Sequence, residues 1–350
     1  MGMLDEMRAI PTTFENMIQY YRSGEGYKQL KNIQTQFCSP SYRMIQFIGM
    51  GTSLFGAIPS VYILNAHSHL AHTYEAGEWI HHLHSSLSPN DLVILISQSG
   101  VSAEILLIAN RLQAHPPTLA VTNDLTSPLG TSFPHCLALN AGQEEGPSTK
   151  TYIHTLALNY LLTQMCLGKA IHEILDMLST CSNAIYELQQ QDTVLLDQME
   201  PFLSYPDFLN TISRGPSIAS QNAAALLLKE TARIYAEPLS GAAFRHGPME
   251  VIQRDSYRAI MFVSDPSSVT LLNELALAIT HYKHPVLYIS AFPPTETQPN
   301  LIHITLPQLD PYLMPLLEII PIQFLAYYYA KNQGYTPGEF LVGSKVTTHE

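Results

Sequence analysis

The run Leu92-Val93-Ile94-Leu95-Ile96 passes directly into Ser97-Gln98-Ser99-Gly100-Val101-Ser102. Five consecutive apolar residues, β-branched near the middle, predict a strand covered on both faces, as in a parallel sheet. Beyond the turn, Ala103, Leu106, Leu107, Ala109 and Leu112 recur at helical spacing. The segment therefore reads as strand, tight polar turn and helix, with serines where the helix begins. In parallel α/β sheets, ligands sit in the crevice at the carboxyl ends of the strands. Backbone N–H groups at a helix start favour an anion, and small hydroxyls add donors without bulk, which suits a phosphate monoester. The same serines also suit plain helix capping, and the turn alone leaves both readings open.

Other turns and the overall composition narrow the class. A chain of 350 residues with 46% hydrophobic and 13% charged residues has room for two domains with large cores. A net charge of −12 argues against a nucleic-acid partner, whose phosphate backbone needs a basic face. Cys38, Cys136, Cys166 and Cys181 show no metal spacing and read as reduced core thiols of a cytoplasmic protein. The acidic start Met1-Gly2-Met3-Leu4-Asp5-Glu6 lacks the apolar stretch of a secretory signal, and no apolar run is long enough to span a membrane.

Along the chain, residues 4–34 read as two short helices broken at Pro11 and at Ser23-Gly24-Glu25-Gly26. A first strand, Arg43–Ile48, ends in Gly49-Met50-Gly51-Thr52-Ser53, with a helix expected to about Asn65. The dinucleotide pattern G-x-G-x-x-G fails here because Leu54 fills the last position, so no nicotinamide cofactor is expected. Two hydroxyl-rich turns at the ends of two strands of one sheet mean more than either alone. A short strand at Thr73–Glu75, a helix from Gly77 to Leu87, a strand at Thr118–Thr122, a helical turn at Ser127–Gly130 and an edge strand at Cys136–Leu139 follow. The loop Gly142–Lys150 then leads into a long helix. The order of parts repeats after residue 205: a strand at Asp207–Ile212, a helix over about Ser217–Ala236, further strands at Arg258–Val263, Pro285–Ser290 and His303–Leu306, and a last helix over Leu313–Lys331. The fold class is therefore α/β, two doubly wound parallel-sheet (flavodoxin-like) domains in tandem with N-terminal helices. The expected divisions are an N-terminal helical segment (1–34), a first domain (35–169), a helical connector (170–204) and a second domain with its tail (205–350).

Taken together, Gly49-Met50-Gly51-Thr52-Ser53, Ser97-Gln98-Ser99-Gly100, Ser148-Thr149-Lys150, Lys229-Glu230, Phe244-Arg245-His246-Gly247-Pro248 and Ser344-Lys345-Val346-Thr347 resemble the tandem sugar isomerase (SIS) domain family. Its members include the isomerase module of glucosamine-6-phosphate synthase and the aminosugar-phosphate deaminases. The resemblance runs, in order, over roughly residues 5–350. It implies that Gly51, Thr52, Ser53, Ser97, Gln98, Ser99 and Ser102 hold the substrate phosphate and that Ser148 touches the sugar hydroxyls. It further implies that Glu230 is the catalytic carboxylate and that His246 opens the sugar ring from a partner subunit, hence a homodimer. By themselves Glu230 reads rather as an exposed helix glutamate paired with Lys229 or Arg233, and His246 as one loop histidine among fifteen; their place among the motifs reverses both readings. The chain departs from the synthase pattern at Leu227, where that enzyme has a lysine, and at Lys345, where the tail lysine is displaced by about one position. Lys345 is taken as the cation near C1 and C2 of the sugar.

The expected activity is a phosphosugar isomerase or deaminase that converts glucosamine 6-phosphate to fructose 6-phosphate and ammonia, without metal or organic cofactor. No glutaminase-like stretch and no cysteine after Met1 are found, so synthesis from glutamine is disfavoured. A fructosamine-phosphate deglycase and a non-catalytic sugar-phosphate-binding SIS protein are the alternatives. A sensor of the latter kind usually carries a helix-turn-helix, and residues 1–40 contain no basic recognition helix. His67, His69, His72, His81, His82 and His84 lack carboxylates at ligand spacing. Glu144 and Glu145 are expected in a solvated loop.

Overall fold

A computed structural model describes residues 2–38, 41–112, 116–202 and 208–349. It contains two five-stranded parallel sheets, as the alternation of apolar runs and helical periods requires. The first has the order β2-β1-β3-β4-β5, built from β1 (Ile45–Gly49), β2 (Ala71–Glu75), β3 (Leu92–Ile96), β4 (Thr118–Thr122) and β5 (Cys136–Ala138). The second has the order β10-β9-β8-β6-β7, built from β6 (Phe208–Ser213), β7 (Ala236–Ser240), β8 (Tyr257–Phe262), β9 (Val286–Ser290) and β10 (Leu301–Thr305). Read from the β7 edge, the second repeats the 2-1-3-4-5 order of the first, the flavodoxin-like winding. Asp207, with which the sequence opens this second half, lies outside the described residues.

The chain divides into two compact units. One comprises Ala9–Glu144, Ser148–Ser182 and Phe340–Glu350, and the other Met1–Arg8, Glu145–Pro147 and Asn183–Glu339. This division differs from one drawn by repeats alone, since the C-terminal tail packs with the first sheet. Every residue of β1, β3 and β4 is buried, so these strands need apolar residues on both faces. Ile48, Val93, Leu95 and Ala120 pack with Trp79, Ile105, Ile108 and Leu129 in the core on one side. The second sheet packs Ile212, Ala259, Met261, Val286 and Tyr288 with Leu272, Leu275 and Ile279.

Several expectations are corrected. The N-terminal region forms three helices, Met3–Arg8, Ile10–Arg22 and Gly24–Phe37, because Pro11 sits in a helix's first turn, where its missing N–H costs nothing. The helix after Gly51 is split into Thr52–Phe55 and Ile58–Ala66, and the one after β2 becomes a wide π turn over Trp79–Leu83. The helix expected to reach Ala236 stops at Ala232, where Arg233 takes a left-handed cap at φ 57°, and β7 follows. Cys38 and Cys166 are disulfide-bonded, not separate thiols. Cys38 follows helix Gly24–Phe37 and Cys166 ends helix Lys150–Cys166, and those helices pack, so residues 128 positions apart meet.

One buried histidine ties the N-terminal helices to the first domain. His154 is fully buried in helix Lys150–Cys166; its Nδ1 lies 2.7 Å from the Leu139 carbonyl and its Nε2 3.2 Å from Thr13 Oγ1. A ring nitrogen facing a carbonyl must donate, which leaves Nε2 to accept from Thr13. Burial pushes the imidazole pKa down to about 4. The unfolded chain therefore binds a proton that the folded chain refuses, and stability is lost as pH falls from about 6.5 towards 4, by roughly 3 kcal/mol in total. Urea denaturation across that range should show this loss, and His154→Gln should show a correspondingly flatter pH dependence.

Candidate functional site

The register of the first sheet places the two hydroxyl-rich turns together. Gly49, the last residue of β1, pairs with Ile96, the last of β3, so Gly51-Thr52-Ser53 and Ser97–Ser102 leave adjacent strands at the same level. Between β1 and β3 the strand order reverses direction, and such a switch point opens a crevice. Gly51 lies at φ 51°, a conformation that lets the chain turn sharply before Thr52 starts its helix. A side chain at Gly49 would come within 3.2 Å of the Ile96 carbonyl and 3.1 Å of the Leu54 amide. The strand ends that carry the two turns are thus packed backbone to backbone.

Within the second turn the serines are held, not loose. Ser97 Oγ accepts from Gly100 N at 3.2 Å and lies 3.2 Å from Ser102 Oγ, while Ser99 Oγ accepts from Val101 N at 3.2 Å. Ser97 is buried, and Gln98, Ser99 and Ser102 are half-buried, as are Thr52 and Ser53. This leaves hydroxyls and an amide side chain at the mouth of a crevice, where they can turn to an anion. The turn is supported from below by residues that the sequence reading missed. Thr122 Oγ1 and Asn123 N both donate to the Gln98 carbonyl, and Leu129 N donates to that of Gly100. Their only sequence signal was the hydroxyl-rich ending of the next strand, β4.

Ser148 is half-buried just ahead of helix Lys150–Cys166, in the same unit as the two turns. The neighbouring Glu144 corrects an expectation. Glu145 is exposed, but Glu144 is buried. Its Oε1 accepts from Thr149 N at 2.9 Å, Thr149 Oγ1 at 3.1 Å and Thr151 N at 3.2 Å, and its Oε2 from Thr151 Oγ1 at 2.5 Å. Lys345 Nζ completes the set at 2.9 Å. Burial alone would raise the Glu144 pKa, but the Lys345 charge and the hydrogen bonds from Thr151, Lys345 and Thr149 hold it below the usual carboxylate range. An acid shortly before a helix start, able to cap it, was the available signal.

Glu230 and His246 belong to the other unit. Glu230 is half-buried in the last turn of helix Ile218–Ala232. Neither basic neighbour is simply solvated: Lys229 Nζ lies 5.9 Å from the centre of the Tyr235 ring, and the Arg233 guanidinium lies 4.0 Å from that of Tyr335. His246 is exposed and ends helix Gly241–Arg245, its N–H donating to the Ala243 carbonyl at 3.1 Å. Gly247 follows at φ 122°, a conformation reserved for glycine. Leu227, at the departure from the synthase pattern, is buried core. Among the described residues no group of three His, Cys, Asp or Glu side chains is placed to hold a metal ion. No helix among them is long and apolar enough to cross a membrane.

Residues 41–165, which contain both turns, match the SIS domain family. The segment that builds the first sheet is thus similar to a SIS domain. Over 313 residues the chain is 27% identical to the isomerizing glutamine–fructose-6-phosphate aminotransferase of Thermosynechococcus vestitus, a match covering 83% of this chain and 49% of that protein. The chain spans about half the length of the sequence relatives it matches. Among solved structures, the C-terminal domain of glucosamine-fructose-6-phosphate aminotransferase from Francisella tularensis superposes with a TM-score of 0.84 at 20% identity, over 97% of this chain and 98% of that chain. A glucosamine-6-phosphate deaminase from Thermotoga maritima gives a TM-score of 0.74 at 18% identity, over 98% of each chain. At such identities the superpositions establish the fold, two SIS-like domains each built on one five-stranded sheet.

Gly100 is the position in the crevice least able to change. It lies at φ 67°, and a Cβ there would stand 2.0 Å from Ser127 Oγ and 2.6 Å from Ser127 Cβ. Gly100→Ala should destabilise the protein by about 2 kcal/mol or more, combining left-handed strain with displacement of Ser127. Denaturant unfolding of the variant beside the parent checks this.

Proposed function

We propose that this protein is a phosphosugar isomerase that acts as a deaminase, converting glucosamine 6-phosphate to fructose 6-phosphate and ammonia. One observation carries the reading: two hydroxyl-lined turns leave adjacent, paired strands at the switch point of a parallel sheet, a mouth suited to one phosphate. Gly51, Thr52, Ser53, Ser97, Gln98, Ser99 and Ser102 hold that phosphate, and Ser148 orients the sugar. The likeness to isomerizing aminotransferases and to an aminosugar-phosphate deaminase supports the substrate class. The working form is a cytoplasmic homodimer in which an exposed His246 serves the partner's crevice.

The chemistry needs only proton transfers. His246 helps move a proton from the anomeric hydroxyl to the ring oxygen, which opens the ring to an aldehyde. The Glu230 carboxylate removes the proton from C2 and returns it to C1, while O1 gains a proton and the amine nitrogen loses one, which turns the aldehyde and its neighbouring amine into a hydroxymethyl group and a ketimine. Water adds to the ketimine carbon and ammonia leaves, giving the ketose. Lys345 supplies positive charge where the C1 oxygen gains electron density as the proton leaves C2.

Incubation with glucosamine 6-phosphate should yield fructose 6-phosphate and ammonia in equal amounts. Glu230→Gln should lower kcat by about 10²–10⁴-fold with little change in KM, as expected for loss of a proton shuttle. Ser99→Ala should instead raise KM by roughly tenfold, the cost of one charge-assisted hydrogen bond. Amine release from fructosamine 6-phosphates alone would move the assignment to a deglycase. Binding of sugar phosphates without turnover of any would reject an enzyme.

A further inference from the structure

We propose that Glu144 is the positioning residue of Lys345: it holds the C-terminal tail in place and fixes the ammonium beside Ser148. The inference rests on the reading of Lys345 as the cation at the sugar. The Glu144 side chain has no exposure, while that of Lys345 retains 17%. Four donors reach the carboxylate from the start of helix Lys150–Cys166, and they come with the helix whether or not the tail is present. The fifth, Lys345 Nζ, comes from 201 positions further along the chain and is the only one of the five that carries a charge. A buried carboxylate left with neutral donors is costly, so the docked tail is strongly preferred.

A second anchor sets the direction of the tail. Ala103 N, the first amide of the helix behind Ser97–Ser102, donates to the Thr347 carbonyl at 3.1 Å. Between the anchors, Ser344 Oγ donates to the Val346 carbonyl at 2.6 Å and tightens the turn. The segment Ser344–Thr347 is therefore pinned at one end to the helix that begins after Ser148 and at the other to the helix that begins at the phosphate turn. Leu341 and Val342, just before it, are exposed, whereas Phe340 and Val346 are half-buried and add apolar contact to the polar anchors. Glu144 joins three parts of the site, the Ser148 loop, the helix start and Lys345, through one carboxylate.

The test uses the full chain and two readouts. Acetylation of lysines by a water-soluble reagent, mapped by mass spectrometry, requires no substrate. Lys345 should react at least about fivefold more slowly than the exposed Lys283, as an engaged ammonium does. Glu144→Gln should remove that protection and Glu144→Asp restore part of it. With glucosamine 6-phosphate, Glu144→Gln should lower kcat by about tenfold or more and leave KM within about twofold, because the phosphate turns are untouched. Lys345→Gln should cost a similar factor, and the double variant should be no worse than Lys345→Gln alone. Equal labelling of Lys345 and Lys283 in the parent, protection that survives Glu144→Gln, or losses that multiply in the double variant would each overturn the inference. If Glu144→Gln does not fold, the parent and Glu144→Asp labelling rates decide the matter. Absence of turnover in the parent counts against the proposed reaction only, since the labelling contrast is read without substrate.

Discussion

Parallel pairing is the constraint on which everything else depends. Because β1 and β3 run side by side in the same direction, with Gly49 opposite Ile96, their exits lie next to each other at one edge of the sheet. The chain must leave both strands there, and it does so through short polar turns because the strands themselves are fully buried. The 2-1-3-4-5 order then sends the following connections to opposite faces, and the gap between them becomes a crevice. Small residues are obligatory at this point: Gly49 lies against the Ile96 carbonyl of the neighbouring strand, and Gly100 lies against Ser127 with no room for a methyl group. The site is therefore a consequence of the winding, and the serines and threonines are its chemical specialisation.

Much of this was legible in the sequence because burial on both faces leaves so strong a mark. Leu92–Ile96, Thr118–Thr122 and Val286–Ser290 are unbroken or nearly unbroken apolar runs, and each is a central strand. Strand β7, Ala236–Ser240, was missed for the converse reason. It lies at a sheet edge and contains Pro238, which an edge strand tolerates and a central one does not. Its residues also follow a helix whose stop depends on Arg233 adopting a left-handed conformation, for which the usual signal is a glycine.

The parts of the site that could not be read share a different cause: they depend on pairs far apart in sequence. Glu144 among neighbouring acids and glycines looks solvated until helix Lys150–Cys166 closes over it and a tail lysine arrives. Cys38 and Cys166 carry no spacing signature, because the packing of two helix ends brings them together. Thr122 supports the Ser97–Ser102 turn only through the β3–β4 pairing, which brings the end of β4 beneath Gln98. Local composition marks where ligand-facing hydroxyls lie, whereas their support comes from tertiary neighbours.

The duplicated architecture also bears on why the first copy is the one proposed to hold a phosphate. In the second sheet β8 occupies the place of β3, so the turn after it, Val263–Ser268, corresponds to Ser97–Ser102. That turn brings its own carboxylate: Asp265 accepts from Ser267 N at 3.2 Å and from Ser267 Oγ at 2.6 Å. Its Oδ2 would lie only 2.9 Å from a Cβ at Gly215, the residue that matches Gly51 in the preceding turn. The hydroxyl and amide donors of the second turn are thus already directed at an internal anion, and a phosphate brought there would face like charge. With Ser99 at the matching place, the first copy keeps a similar turn and offers a neutral hydroxyl instead. A single change of charge at equivalent positions can therefore separate a ligand-binding copy of the fold from one that is closed upon itself.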